Sequence, residues 1–138
     1  NGNNTHRHPR IKSLVVMNSH ILGKKYLILI YDRWLIITIA LLFLILFLSL
    51  HPFNTSSNLA GNDKFHHLIA YAALSFPSSL KKPPHYISIC LFFILFGGII
   101  ELAQPYFDRY QEFSDFLTNA VGVILGMILG SVIRKNNF

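Results

Sequence analysis

Residues Trp34 to Leu50 read WLIITIALLFLILFLSL, without one charged side chain. As a helix rising ~1.5 Å per residue, such a run is just long enough to cross a hydrocarbon core of ~30 Å. Tyr31 and Trp34 stand at its start, where aromatic rings mark a membrane–water boundary. A cleaved signal peptide is the competing reading, since basic residues precede the run. The run is longer than a signal core and lacks a clear small-x-small cleavage site, so it reads as an uncleaved span.

Three more apolar blocks follow, Asp63 to Leu80, Tyr86 to Leu102 and Asp115 to Ile133. Lys81-Lys82-Pro83-Pro84 stops the first of these, Gln104-Pro105 the second and Arg134-Lys135 the third. The connection His51 to Asn62 (HPFNTSSNLAGN) is rich in turn formers. The chain is 52% hydrophobic and only 13% charged, about half the charge of an ordinary soluble protein. Its blocks are apolar all round, whereas a soluble helix shows one apolar stripe. The expected fold is all-α: a four-helix transmembrane bundle with helices at 34–50, 63–80, 86–102 and 115–133, together one domain over 34–138. Residues 1–33 form a basic cytoplasmic segment, disordered or interfacial, in which Tyr26 to Tyr31 is too short to span. The chain opens on Asn1 and its first methionine is Met17, so residues 1–16 carry no functional weight.

The net charge is +6, and its distribution gives orientation. Arg7, Arg10, Lys12, Lys24, Lys25 and Arg33 precede the first block, Lys81 and Lys82 follow the second, and Arg134 and Lys135 follow the fourth. The other two loops hold only Lys64 and Arg109. All three basic flanks fall on one side of a four-span topology, which makes that side, and both termini, cytoplasmic. Nucleic acid is not an expected partner, because no basic stretch is interleaved with exposed aromatics. Cys90, the single cysteine, rules out an intrachain disulfide and a cysteine zinc site. Inside an apolar block, it reads as a small packing residue.

Polar residues gather toward the outer ends of three blocks. Asp63, His67 and Tyr71 follow at i,i+4 steps and share a helix face, with Lys64 beside His67. Gly97, Glu101 and Gln104 share another, and Asp115, Asn119 and Gly122 a third, which continues as Gly122-x-x-x-Gly126-x-x-x-Gly130. Ionisable side chains facing lipid are costly, so such residues face the bundle interior or one another. Glycines at this spacing let helix backbones approach closely. Arg109, between Glu101 and Asp115, is placed to reach either carboxylate. A weak internal repeat is also visible: His51-Pro52 leads to Asp63-x-x-x-His67, and Gln104-Pro105 leads to Asp115-x-x-x-Asn119. It suggests two related hairpins about an axis normal to the membrane.

Asp63-Lys64-x-x-His67-x-x-x-Tyr71, Gly97-x-x-x-Glu101-x-x-Gln104, and Arg109 followed by Asp115-x-x-x-Asn119-x-x-Gly122-x-x-x-Gly126 together resemble the VanZ-like family of small bacterial membrane proteins. The resemblance covers Trp34 to Ile133. It implies a multi-pass protein of the bacterial cytoplasmic membrane with a role in the cell envelope. The family takes its name from a glycopeptide-resistance cluster, and that member is linked to teicoplanin resistance. The resemblance names no biochemical activity.

Several readings of the polar residues stay open. A structural network balances Asp63, Glu101 and Asp115 against Lys64, Arg109 and a protonated His67, and only fixes helix register. A recognition site binds an anionic lipid or lipid-linked head group from the outer leaflet through Lys64 and Arg109, with Tyr71, Gln104, Asp115 and Asn119 around it. An enzyme uses His67 as base or nucleophile, with Asp63 or Glu101 orienting it. Transport through so small a bundle requires a homo-oligomer. No cofactor is expected, and no metal is assigned, because the spacing matches no strong ligand motif such as H-E-x-x-H.

Overall fold

The computed structural model describes residues 21–51, 60–107 and 112–138, and for 60–63 the backbone only. Every element among them is helical. They are α1 (Ile21–Asp32), α2 (Trp34–Leu50), α3 (Ala60–Lys81), α4 (Tyr86–Ala103) and α5 (Phe113–Asn137). A 3-10 turn, Gln104–Phe107, prolongs α4. The bounds of α2 are those expected, and α3, α4 and α5 run slightly further at their ends. The extra turn of α5 has a physical cause: Arg134 and Lys135 sit in its last turn, where cations meet the negative end of the helix dipole. Arg134 also donates to the carbonyls of Leu80 and Lys81, satisfying acceptors that the end of α3 leaves open.

Length and composition support fewer spans than the four expected. Tyr86–Phe107 and Phe113–Asn137 are each long and apolar enough to cross a membrane, and α1 with α2 makes a third only as a pair bent by 80°. By itself α2 has 17 residues. Although α3 has 22 residues, it carries Asp63, Lys64, His66, His67 and three serines. Its inner half is sheltered: Leu74, Ser75, Ser78, Ser79 and Leu80 are all buried. A helix so covered by its neighbours needs no apolar surface of its own.

The surface is inverted relative to a water-soluble fold. Phe43, Phe47, Leu95, Ile99, Leu102, Ile128 and Leu129 are exposed, while His67, Glu101, Gln104, Asp115 and Asn119 are buried. Wide apolar exposure around a polar interior is the arrangement a hydrocarbon solvent favours. The apolar core joins Ile45 of α2, Tyr71 and Leu74 of α3, Cys90, Phe93 and Ile100 of α4, and Val123 of α5.

The closest contact is between α3 and α5. A Cβ built on Gly122 would stand 2.6 Å from the carbonyl oxygen of Leu68, one on Gly126 would overlap Ser75 Oγ and the Ala72 carbonyl, and one on Gly130 would stand 2.8 Å from Ser79 Cβ. The contacts advance together along both helices, so α3 and α5 run parallel. Ser75 Oγ donates across the seam to the Val123 carbonyl at 2.9 Å. Between them the chain returns through α4, after a turn in which Lys82 and His85 adopt left-handed φ of 50° and 64°. Tyr31 stacks on Phe138 at 4.6 Å and lies under the Lys81 ammonium. The end of α1 therefore meets the ends of α3 and α5. One end of the molecule is basic, and an open groove of about 460 Å³ there is lined by Lys82, Ser131, Val132, Arg134, Lys135 and Phe138. The polar cluster lies toward the other end.

Candidate functional site

Each of the three close-packed helices contributes to one buried cluster. His67 comes from the second turn of α3, Glu101 from the last turn of α4, and Asp115 and Asn119 from the first turns of α5. Parallel α3 and α5 put their early turns level, and the reversal at α4 brings its final turn to the same height. The His67 Nδ1 atom lies 2.9 Å from Asn119 Oδ1, and Asn119 Nδ2 donates to Glu101 Oε1 at 3.4 Å. An amide nitrogen pointing at a carboxylate fixes the amide, so its oxygen is the acceptor and His67 Nδ1 carries a proton. The other ring nitrogen, Nε2, then faces Asp115 Oδ2 at 3.9 Å, while Glu101 Oε1 lies 3.9 Å from Nδ1. One imidazole thus sits between two carboxylates. Asn119 is 0% exposed and Glu101 2%.

Tyr71 stands one turn below His67 and is equally enclosed. Its hydroxyl and Asn119 Nδ2 both lie just over 3 Å from the point where a Cβ on Gly97 would stand, at 3.1 and 3.2 Å. Gly97 is therefore the gap that admits both groups. The Tyr71 hydroxyl is buried and has no hydrogen-bond partner among the described residues. Gln104 is buried at the start of the 3-10 turn, one helical turn beyond Glu101.

Lys64 does not join the buried group. Its ammonium lies 3.7 Å from Glu112 Oε2, and the two side chains are 46% and 52% exposed. The Asp63 side chain and Arg109 lie outside the described residues, and the roles expected of them go with that. Sequence reading passed over Glu112, which lies just before α5 and also accepts from Ser114 Oγ at 3.1 Å. It passed over the small face of α3 as well, where Ala72, Ser75 and Ser79 receive the α5 glycines. The spacing of those small residues was the available signal. Of the residues singled out by sequence, His67, Tyr71, Gly97, Glu101, Asp115 and Asn119 come together, and Gly122, Gly126 and Gly130 line the seam that brings them there.

Such a cluster can hold a proton, polarise a bound group or coordinate a cation, because it joins an oriented imidazole to two carboxylates in a low-dielectric setting. Comparison with protein-family models, curated proteins and solved structures finds no match.

Proposed function

We propose that the chain is a four-span protein of the bacterial cytoplasmic membrane, VanZ-like, with both termini in the cytoplasm. On this reading it recognises an anionic lipid or lipid-linked head group at the outer leaflet. The observation that carries the reading is the parallel packing of α3 and α5. It opens two helix amino termini at the same end, where backbone N–H groups and the helix dipole favour an anion. Lys64 stands at that rim, half exposed, and its contact with Glu112 is a surface ion pair. Such pairs contribute only ~0–1 kcal/mol, so a phosphate can displace Glu112 readily. The buried cluster beneath, which holds Glu101 and Asp115, anchors the three helices that shape the rim.

Two further points support this topology. The basic side chains Lys81, Lys82, Arg134 and Lys135 gather at the opposite end, as cytoplasmic flanks do. The three short motifs behind the VanZ resemblance also fall on three different helices, and six of their residues meet. A cell-envelope role, including one in glycopeptide (teicoplanin) resistance, follows from that resemblance.

Native mass spectrometry of gently extracted protein tests the reading. An anionic lipid is expected to remain bound to the full chain and to be lost when Lys64→Ala and Arg109→Ala are combined. If the wild type retains no anionic lipid, or the double variant retains it equally, the head-group reading fails.

A further inference from the structure

We infer that the groove at the basic end of the molecule seats the phosphodiester of an anionic phospholipid in the cytoplasmic leaflet, phosphatidylglycerol being the simplest lipid of that chemistry. Lys82, just beyond α3, lines this groove of about 460 Å³ together with Ser131, Val132, Arg134, Lys135 and Phe138 of α5 and its end. The lining divides by chemistry into three cations and a hydroxyl on one hand and two apolar side chains on the other. Val132 is 52% exposed and Phe138 53%. A lipid phosphate with its glycerol and first acyl carbons uses both kinds of surface at once. A free phosphate uses only the cations.

Charge favours an anion here. Of the described acidic side chains, Glu101, Glu112 and Asp115 belong to the opposite end, and Asp32 alone belongs to this one. Four cations stand against it: Lys81, Lys82, Arg134 and Lys135. Because α3 and α5 both end here, each also brings roughly −0.5 of an elementary charge. Those two ends and Asp32 offset only about half of the positive charge. Arg134 is held ready for a phosphate. Its Nη1 donates to the carbonyls of Leu80 and Lys81, which fixes the planar guanidinium, while Nε and Nη2 carry further N–H groups. Such a fork matches phosphate oxygens in pairs, and the lysines add point charges beside it.

The apolar wall is held from a third side. Phe138 stacks on Tyr31 of α1 at 4.6 Å, and the Lys81 ammonium lies 3.9 Å over the same tyrosine ring. The 80° bend between α1 and α2 lays α1 near the plane of the bilayer when α2 follows the normal. Lys24 and Lys25 of α1 are exposed and join the same basic level. Aromatic rings and long cationic side chains meet at head-group depth, and basic pockets between spans on the cytoplasmic side are a recurring form of head-group site.

This seat shares no residue with the outer rim, so the two readings fail separately. The full chain in neutral detergent is titrated with phosphatidylglycerol and, in parallel, with phosphatidylcholine and with free glycerophosphate. Native mass spectrometry counts the bound species. Phosphatidylglycerol is expected to bind, and the other two far more weakly. Lys82→Gln combined with Lys135→Gln should hold one phosphatidylglycerol fewer, its affinity lowered about 30-fold, the scale of two cations beside an anionic head group. Both side chains are exposed, so this variant alters charge and leaves the packing intact. Protein combining Lys64→Ala and Arg109→Ala should keep the groove lipid. Wild-type protein without bound phosphatidylglycerol overturns the proposal, as does equal binding of phosphatidylcholine or free glycerophosphate. Undiminished phosphatidylglycerol binding in the Lys82 and Lys135 double variant overturns it too.

Discussion

Asn119 is the residue on which the cluster turns, because it links His67 and Glu101 and fixes which imidazole nitrogen carries a proton. Sequence spacing placed it on the same stripe as Asp115, and placed His67 with Tyr71, but spacing within a helix says nothing about which stripes face each other. That pairing depends on the glycine seam. Where His66 and His67 stand side by side, the i,i+4 step to Tyr71 singles out His67, and His67 is the one buried with the carboxylates. Tyr71 offers a test at this scale. Its hydroxyl is buried and has no hydrogen-bond partner among the described residues, so Tyr71→Phe removes an unsatisfied group and keeps the ring packed against Gly97. The expected outcome is unchanged or higher stability, by up to about 1 kcal/mol. Reversible unfolding in detergent measures it, and a loss above about 1.5 kcal/mol, beyond a typical hydrogen bond, would reveal a bond that the hydroxyl makes.

At the level of elements, helix positions were legible because four charge-poor blocks are separated by Pro, Lys and Asn-rich connections. What could not be read was the role of α3. Its serines and histidines lower its apolar character, and only its neighbours reveal that the serines and His67 are covered. The close approach of α3 and α5 was half legible: Gly122, Gly126 and Gly130 announced one small face, while Ala72, Ser75 and Ser79 supply the other. Gly126 is the tightest of these positions, since an added Cβ meets both Ser75 Oγ and backbone carbonyl of Ala72. Gly126→Ala must push the helices apart and is expected to cost about 1–3 kcal/mol, the usual penalty of overpacking. Gly23→Ala, where a Cβ meets nothing within 4 Å, is the control and should be neutral or slightly stabilising. Equal effects at the two positions would mean that the seam is looser than described.

The whole molecule is arranged inside out: apolar side chains face outward, and ionisable groups from separate helices meet within. The all-helical character and the outer apolar surface followed from composition alone. The number of independent spans did not, because a helix may owe its place to the cover of its neighbours more than to its own hydropathy. The weak repeat gains a geometric counterpart here. His67 and Asn119 occupy corresponding places in the two half-patterns, and they are the residues that hydrogen-bond across parallel α3 and α5. The most direct measurement is solid-state NMR dipolar recoupling on the chain in lipid bilayers, with ¹⁵N in histidine rings and ¹³C in asparagine side chains. A contact of about 4 Å between His67 Nδ1 and the Asn119 carboxamide carbon, the separation a hydrogen bond imposes, is the predicted result, and it should disappear in Asn119→Gln. A wild-type spectrum without that contact would contradict the convergence of α3 and α5 on a shared polar interior.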